Sequence, residues 1–166
     1  MRKNINRNLN SMMHNWFECK VRYEKLMENG VTAKVNEPYL VDALSFTEAE
    51  ARIIEEMQPF ISGEFTVSDI KRAKYSELFS SPLESDDKWY KCKLYFITLD
   101  DKSGKEKKSS TQVLVQAGSL KKAIDNLEEG MKGTLADYEI ASVIETAIID
   151  IFPFDAEKVS KQNTED

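Results

Sequence analysis

Few residues of this sequence have the types and the spacing that catalysis requires. His14 is the single histidine among 166 residues, so a histidine-based triad would depend on it, and neither a serine nucleophile elbow nor a papain-like cysteine context is present. Cys19 and Cys92 lack the CxxC or CxxH spacing of a metal site. Gly130 and Gly133 form neither a GxGxxG fingerprint nor a P-loop. We therefore predict a protein without catalytic residues, metal or cofactor, which is not an enzyme.

Charge is distributed unevenly along the chain. The formal net charge is −6, which disfavours bulk attraction to nucleic acid. Residues 47–58 contain four glutamates and only Arg52 as a cation, a pattern that fits the solvated face of a helix better than a carboxylate site. Residues 88–96, by contrast, contain three lysines and no acid. A local cationic surface is therefore predicted in a chain that is acidic overall.

Aromatic residues alternate with cations along two strand-like stretches, and this pattern predicts a binding surface. Because successive side chains of a strand point to opposite faces, Trp16, Lys20 and Arg22 share a face, as do Trp89 and the lysines that follow it. Exposed rings can stack on nucleobases, which contributes about 1–3 kcal/mol per base, while cations contact the phosphates. We therefore predict a non-catalytic protein that binds single-stranded nucleic acid. The predicted site comprises Trp16, Lys20, Arg22, Lys71, Arg72, Lys74, Trp89, Lys91, Lys93 and Tyr95.

The same residues also fit a structural role. Tryptophan at the start of a strand can cover the end of a core, and alternating lysines protect strand edges from aggregation. The second functional hypothesis is therefore a protein-interaction or regulatory module, in which the tryptophans, Leu40 and Leu114 form a homodimer or partner interface. A cationic face that contains both tryptophans would favour nucleic-acid binding, whereas tryptophans buried between repeats would favour the second hypothesis.

Both aromatic stretches belong to an internal repeat. Residues 16–23 recur 73 positions later as residues 89–96, with an aromatic pair, a cysteine, a lysine and an aliphatic residue in register. Farther along, Met57 and Met131 match at a shift of 74. A loop that is one residue longer in the second copy would account for the change of the shift from 73 to 74. The sequence is thus predicted to contain two copies of one unit.

Each copy is predicted to form two strands, a helix and a third strand, from the periods of its apolar residues. Phe65 and Val67 are out of phase with Ile70, which predicts a bulge in the third strand, although a helix over 67–79 is the competing interpretation. The apolar stripe of the first helix comprises Phe46, Ala49, Ile53, Met57 and Phe60. The predicted strands cover 14–24, 33–44, 64–79, 88–99, 108–117 and 137–152, and the helices cover 45–60 and 119–131.

The predicted fold class is α+β. A single ββαβ unit leaves a sheet edge and one side of its helix uncovered. Two tandem ββαβ repeats with pseudo-twofold symmetry would form an antiparallel-rich sheet or a partly open barrel with two helices. The sequence leaves three candidates for the translation start, Met1, Met12 and Met13. The predicted segments are a disordered N-terminal extension (1–12), the first repeat (13–79), a polar linker (80–87), the second repeat (88–154) and a disordered acidic tail (155–166).

Several features bear on the location of the protein. No apolar run approaches the roughly 20 residues of a membrane helix, so no membrane partner is predicted. The first eleven residues are basic but lack the apolar core of a secretion signal. Cys19 and Cys92 lie on the predicted core faces of equivalent strands, so we expect buried, reduced thiols. These features predict a cytoplasmic protein.

Three phrases of the sequence resemble an uncharacterised family of about this length. They are residues 15–21, 37–51 and 63–71, and the similarity extends over about 13–154. The family occurs in gut anaerobes of the Bacteroides type and their phages, and is described only as a domain of unknown function. The resemblance implies no catalytic residues. It implies a phage or mobile-element context, in which a replication-associated single-strand binder would fit.

Overall fold

The fold is α+β, and residues 15–154 contain two helices and two mixed sheets, neither of which closes into a barrel. The computed structural model describes residues 15–154. His14, the predicted N-terminal extension and the predicted acidic tail lie outside the described residues. Along the chain the elements are β1 (Trp16–Leu26), β2 (Thr32–Asp42), α1 (Phe46–Met57), β3 (Phe65–Ala73), β4 (Glu77–Phe79), β5 (Lys88–Leu99), β6 (Glu106–Ala117), α2 (Leu120–Gly130), β7 (Asp137–Glu145) and β8 (Asp150–Phe152).

The chain divides into two compact units, each described by itself below. Of the described residues, the first unit comprises 15–73 and 148–154, and the second unit comprises 74–147. The same order of elements, namely two strands, a helix, a long strand and a short strand, occurs in each half of the sequence. The pseudo-twofold relation between the repeats stays a prediction.

The sheet of the first unit has the strand order β3-β1-β2-β8. β1 and β2 form an antiparallel hairpin in which Trp16 lies opposite Asp42, and β8 adds to β2 in parallel. Alternation along β1 places Phe17, Cys19 and Val21 in one buried cluster with the apolar side chains of α1, which confirms the predicted core face. The cluster comprises Phe17, Cys19, Val21, Tyr39, Val41, Ala43, Ala49, Ile53 and Met57.

The sheet of the second unit has the strand order β4-β6-β5-β7. β5 and β6 form a long antiparallel hairpin in which Lys88 lies opposite Ala117, and β4 adds to β6 in parallel. α2 contributes to a buried cluster of the same character as that of the first unit. The cluster comprises Tyr90, Cys92, Leu94, Val113, Val115, Ala117, Ala123, Leu127 and Met131. The two cysteines are thus free, buried thiols in separate apolar clusters, as predicted.

Each helix begins at a serine cap. The Oγ of Ser45 accepts a hydrogen bond from the backbone N–H of Glu48 at 3.1 Å, and the Oγ of Ser119 accepts one from Lys122 at 3.2 Å. Each bond satisfies a backbone donor that has no partner within the first turn of a helix. Among the described residues, no helix is long and apolar enough to cross a membrane.

The apolar stripe of α1 is shorter than predicted. Its central residues are buried, but Phe46 and Phe60 are 47% and 75% exposed. α1 ends at Met57 and a turn follows, so Phe60 does not lie on the helix. Phe46 is the first helical residue and packs edge-on against the ring of Phe17, with ring centroids 5.0 Å apart. The prediction that Phe60 belongs to the stripe of this helix is therefore wrong, whereas Phe46, Ala49, Ile53 and Met57 lie on it.

The bulge predicted in the third strand is confirmed. Ser68 of β3 has no opposite residue on β1, because the register shifts between Lys20 and Val21. A second shift, between Lys93 and Leu94 of β5, is the corresponding irregularity opposite β7. One extra residue resets the alternation of side chains, which lets the apolar residues on both sides of the bulge face the core.

The short strands differ most from the prediction. The predicted strand 64–79 ends at Ala73, and its last residues form β4, which joins the sheet of the second unit beside β6. The predicted strand 137–152 likewise ends at Glu145, and its last residues form β8, which joins the first unit beside β2. The competing helix over 67–79 is not formed. Three-residue strands are too short for periodicity to indicate their partners.

The predicted boundaries of the two repeats therefore differ from the boundaries of the two compact units. The repeats 13–79 and 88–154 each include one short strand that pairs in the other unit. The predicted linker 80–87 is also docked rather than free. Within it, Asp86 is only 3% exposed and accepts a hydrogen bond from the backbone N–H of Gly118 at 2.9 Å. The polar composition of residues 80–87 suggested a solvated linker. In the structure, the carboxylate of Asp86 is buried and hydrogen-bonded.

Candidate nucleic-acid interface

Both tryptophans of the predicted site are buried. Trp16 is 4% exposed and Trp89 is 6% exposed, so neither ring offers a face on which a nucleobase could stack. The expectation that they are exposed is wrong, because strand alternation indicates the face of a side chain and not whether that face is covered. Leu40 and Leu114, which the partner-interface hypothesis would expose, are also fully buried. Both hypotheses therefore need other residues.

The cations of β1 share their face with acids. Lys20 is half-buried and Arg22 is exposed, on the face opposite to the core residues of the strand. On the same face Lys71 of β3 lies opposite Glu18, and its Nζ is 3.1 Å from a carboxylate oxygen of that residue. The surface is thus of mixed sign, and one of its cations is already paired.

The other predicted cations of the first half do not extend that face. Arg72 lies opposite Phe17, so it projects from the core side of β3. Its guanidinium carbon is 5.4 Å from the centroid of the Phe17 ring and 5.7 Å from that of Phe46, within the range of a cation–π interaction. Lys74 is exposed in the segment before β4. The structure therefore does not bring the predicted set Lys71, Arg72 and Lys74 onto one surface.

The second unit brings its predicted residues together. Lys91, Lys93 and Tyr95 alternate along β5 with the core residues, so all three lie on the opposite face, and each is half-buried. The Nζ of Lys93 is 5.3 Å from the centroid of the Tyr95 ring. The Nζ of Lys108, on β6, is 6.0 Å from the same centroid. An aromatic ring with two ammonium groups near its face is therefore the centre of this surface.

Lys108 is a residue that the sequence analysis missed. It follows Tyr95 by 13 positions and comes near it because β6 returns antiparallel to β5, with Lys108 opposite Ile97. The signal that could have found it is the turn between the two strands, at residues 100–105, since a turn position fixes the register of a hairpin. That register places Lys108 diagonally beside Tyr95.

The β5–β6 hairpin is strongly cationic, unlike its counterpart. Residues 88–117 contain seven lysines against three acids, a local balance of +4. Residues 16–42, which form the β1–β2 hairpin, contain four cations against five acids, a balance of −1. Because the whole chain carries −6, positive charge is concentrated on one of two similar hairpins. This contrast makes the second unit the better candidate for binding a polyanion.

The turn of this cationic hairpin is ordered by Asp100. Its carboxylate accepts a hydrogen bond from the backbone N–H of Lys102 and one from the hydroxyl of Ser103, each at 3.0 Å. The bond from Lys102 is the main reason that the pKa of Asp100 lies below its ordinary value. Gly104 completes the turn with a φ of 67°, a conformation that glycine adopts without strain. The tip of the hairpin is thus a defined turn.

An acidic strand borders the cationic surface. Glu139 of β7 accepts from the Nζ of Lys108 at 3.2 Å, and both side chains are largely exposed. Asp137 and Glu145 lie at the ends of the same strand, which carries no lysine or arginine. The cationic face of β5 and β6 is therefore bordered on the β7 side by negative charge.

Cys92 and Asp86, two buried residues of the second unit with side chains that could react, have structural roles. Burial raises the pKa of the Cys92 thiol from 9.0 to about 11, so the thiol stays protonated and unreactive at neutral pH. Asp86 accepts hydrogen bonds from Gly118 and from the side chains of Ser81 and Asn126. Within residues 15–154, no group of three or more histidine, cysteine, aspartate or glutamate side chains is arranged to hold a metal ion.

A family comparison covers the whole described region. The family described as "Domain of unknown function (DUF4494)" matches residues 15–154, and the chain belongs to it. No curated protein matches the chain at a significant level. The family match confirms the resemblance to an uncharacterised domain family. The description names no ligand or reaction, so the functional argument depends on the geometry given above.

Proposed function

We propose that this member of the family binds single-stranded nucleic acid through the face of the β5–β6 hairpin that carries Tyr95. The observation that supports the proposal is the Tyr95 ring with the ammonium groups of Lys93 and Lys108 close to it, 5.3 Å and 6.0 Å from its centroid. This group lies in a hairpin with seven lysines against three acids. The tryptophans have no contact with the ligand in this proposal.

Each part of the surface has a physical role. Tyr95 offers a ring on which one base stacks, a contact worth about 1–3 kcal/mol in single-strand-binding proteins. Lys91 and Lys93 are two residues apart on one strand, which places their Cα atoms about 7 Å apart along the backbone. Both lysines lie on the same side of Tyr95 along β5, and Lys108, opposite Ile97, lies on the other side. In the proposed complex the ammonium groups of all three contact phosphates, which frees the face of the ring for the base. Since bases in a duplex are already stacked on each other, a duplex gains only the phosphate contacts.

The cellular context belongs to the same proposal. We place the protein in the cytoplasm, as a replication-associated protein of a phage or mobile element. The sequence phrases at residues 15–21 and 37–51 support this context through their resemblance to a family of Bacteroides-type bacteria and their phages.

The direct test is a titration of a fluorescein-labelled oligothymidylate with the full chain, followed by fluorescence anisotropy. A salt series should give a log–log slope of about −0.7 for each phosphate contacted. We expect a slope near −2 for three lysine contacts and a clearly weaker response with duplex DNA of the same length. Absence of binding at low salt, or equal binding of the duplex, would contradict the proposal.

A further inference from the structure

A groove of about 530 Å³ lies between α1 and β3 in the first unit. Its helical wall is formed by Glu50 and Ile54 of α1 and by Gln58, the C-cap residue of that helix. The three residues are four positions apart and therefore lie in one row. Its other wall is Gly63 and Glu64, followed by residues 65–67 at the start of β3. The groove is separate from the cationic hairpin, which belongs to the second unit.

The strand beside this groove is an edge strand. Among the described residues β3 pairs with β1 only, so the backbone on its other side has no strand partner. The strand is regular from residue 65 to the bulge at Ser68. An edge strand next to a helix can accept an added strand, whose main chain supplies the affinity and whose side chains enter the groove.

The lining of the groove indicates the chemistry of a ligand. Ile54, Phe65 and Val67 are half-buried and provide an apolar floor. Glu50 and Glu64 are exposed and are the only charged residues of the lining. This combination repels phosphates and favours a peptide that carries both apolar and basic side chains.

We propose that this groove binds an extended, basic segment of a partner protein. The segment adds a strand to β3 along residues 65–67 and places a lysine or arginine side chain between Glu50 and Glu64. An apolar side chain of the same segment lies on the floor of the groove. The protein thereby has a peptide-binding site in one unit, in addition to the nucleic-acid surface proposed for the other.

The described strand edges of a second copy are poor occupants of this groove. Among residues 15–154, the other edge strands, β4, β7 and β8, each contain acids and no lysine or arginine. β3 contains two cations, but Lys71 is paired with Glu18 and Arg72 lies against two aromatic rings. The edges of a second copy would therefore meet the acidic groove with like charge or with cations that are already engaged.

The test uses the full chain and a blocked peptide of sequence Arg-Thr-Val-Thr-Val-Arg. Amide hydrogen exchange should slow at residues 65–67 when the peptide is added, because its backbone bonds to the strand edge. A matched peptide with proline at both valine positions has the same charge but cannot form that ladder, and should bind at least about tenfold more weakly. Equal binding of the two peptides, or unchanged exchange at residues 65–67, would overturn the proposal.

Charge reversal in the groove gives a second readout. Glu50→Lys and Glu64→Lys should each weaken binding of the peptide about fivefold. Glu128→Lys makes the same change of charge at an exposed position of α2 and should leave binding unchanged. Equal effects of all three variants would overturn the proposal in favour of general attraction to an acidic protein. Protection of residues 65–67 that depends on protein concentration without peptide would overturn it in favour of self-association.

Discussion

At the scale of single residues, Tyr95 has the largest part in the proposed binding. We expect Tyr95→Ala to weaken the affinity for single-stranded oligothymidylate by about 5- to 150-fold, since it removes one stacking contact of about 1–3 kcal/mol. Tyr95→Phe keeps the ring and should bind almost as well as the natural protein. Anisotropy titrations of both variants measure this difference. A similar loss in both variants would mean that the hydroxyl, and not the ring, is required.

The two buried thiols predict a dependence of stability on pH. Burial raises the pKa of Cys19 from 9.0 to about 12 and that of Cys92 from 9.0 to about 11. The folded state binds these two thiol protons more tightly than the unfolded state does. The thiols therefore contribute fully to the free energy of unfolding below pH 9, and this contribution is lost as the pH rises through their pKa values in the folded state. The free energy of unfolding in urea should therefore be level near neutral pH and fall above pH 9.

Tyrosines with raised pKa values add to the same decline, so a control is needed to assign it. In a Cys19→Ala, Cys92→Ala variant the decline between pH 9 and 10 should be smaller, even if the variant is less stable throughout. An unchanged slope in that variant would show that the thiols do not titrate on unfolding as described.

The observed positions of individual residues show what could be predicted from the sequence. The alternation around Cys19 and Cys92 was enough to identify the core faces, because buried faces of strands are apolar at every second position. The same alternation could not show that Trp16 and Trp89 are covered, since coverage depends on residues far away in sequence. Lys108 was missed because its proximity to Tyr95 depends on the register of a hairpin.

At the scale of elements, long strands and helices were predictable and short strands were not. β5 covers the predicted residues 88–99, and the bulge in β3 followed from a visible change of phase. β4 and β8 have three residues each, so no period can be recognised, and their partners β6 and β2 are chosen by tertiary packing. The docked position of the segment 80–87 was likewise hidden by its polar composition.

That docked segment predicts a specific sensitivity at Gly118. A Cβ atom there would lie 2.4 Å from the backbone oxygen of Ser85, so Gly118→Ala must displace the segment and weaken the hydrogen bond to Asp86. We expect a loss of about 1–3 kcal/mol in the free energy of unfolding, measured in urea. Gly63→Ala is a matched control, because a Cβ atom at Gly63 has no atom within 4 Å. Equal effects of the two substitutions would contradict the described contact.

At the scale of the whole molecule, the exchange of short strands predicts which fragments are stable. Fragment 74–147 contains every strand of the second unit, whereas fragment 88–154 lacks β4 and carries β8 without its partner β2. Leu78 of β4 is 7% exposed and Phe79 packs against the core of this unit. We therefore expect fragment 74–147 to be more stable to urea by at least about 2 kcal/mol. Equal stability, or the reverse order, would contradict the assignment of β4.

Charge is also a property of the whole molecule, and it separates the two hairpins. A chain with a net charge of −6 concentrates a balance of +4 on residues 88–117 and −1 on residues 16–42. Nonspecific attraction of a polyanion to lysines would involve both hairpins, whereas the proposed site requires the lysines of residues 88–117. Removal of equal charge from each hairpin therefore distinguishes a defined site from nonspecific attraction.

The most direct measurement compares two fourfold variants in the same oligothymidylate titration. In the test variant, glutamine replaces Lys91, Lys93 and Lys108 of the proposed face, together with Lys107 on the other face of β6. In the control variant, glutamine replaces Lys20, Arg22, Lys25 and Lys34. Both variants lose the same charge, and we predict that only the test variant loses affinity, by more than about tenfold at low salt. Equal losses in both variants, or full binding by the test variant, would contradict a nucleic-acid site on the β5–β6 hairpin.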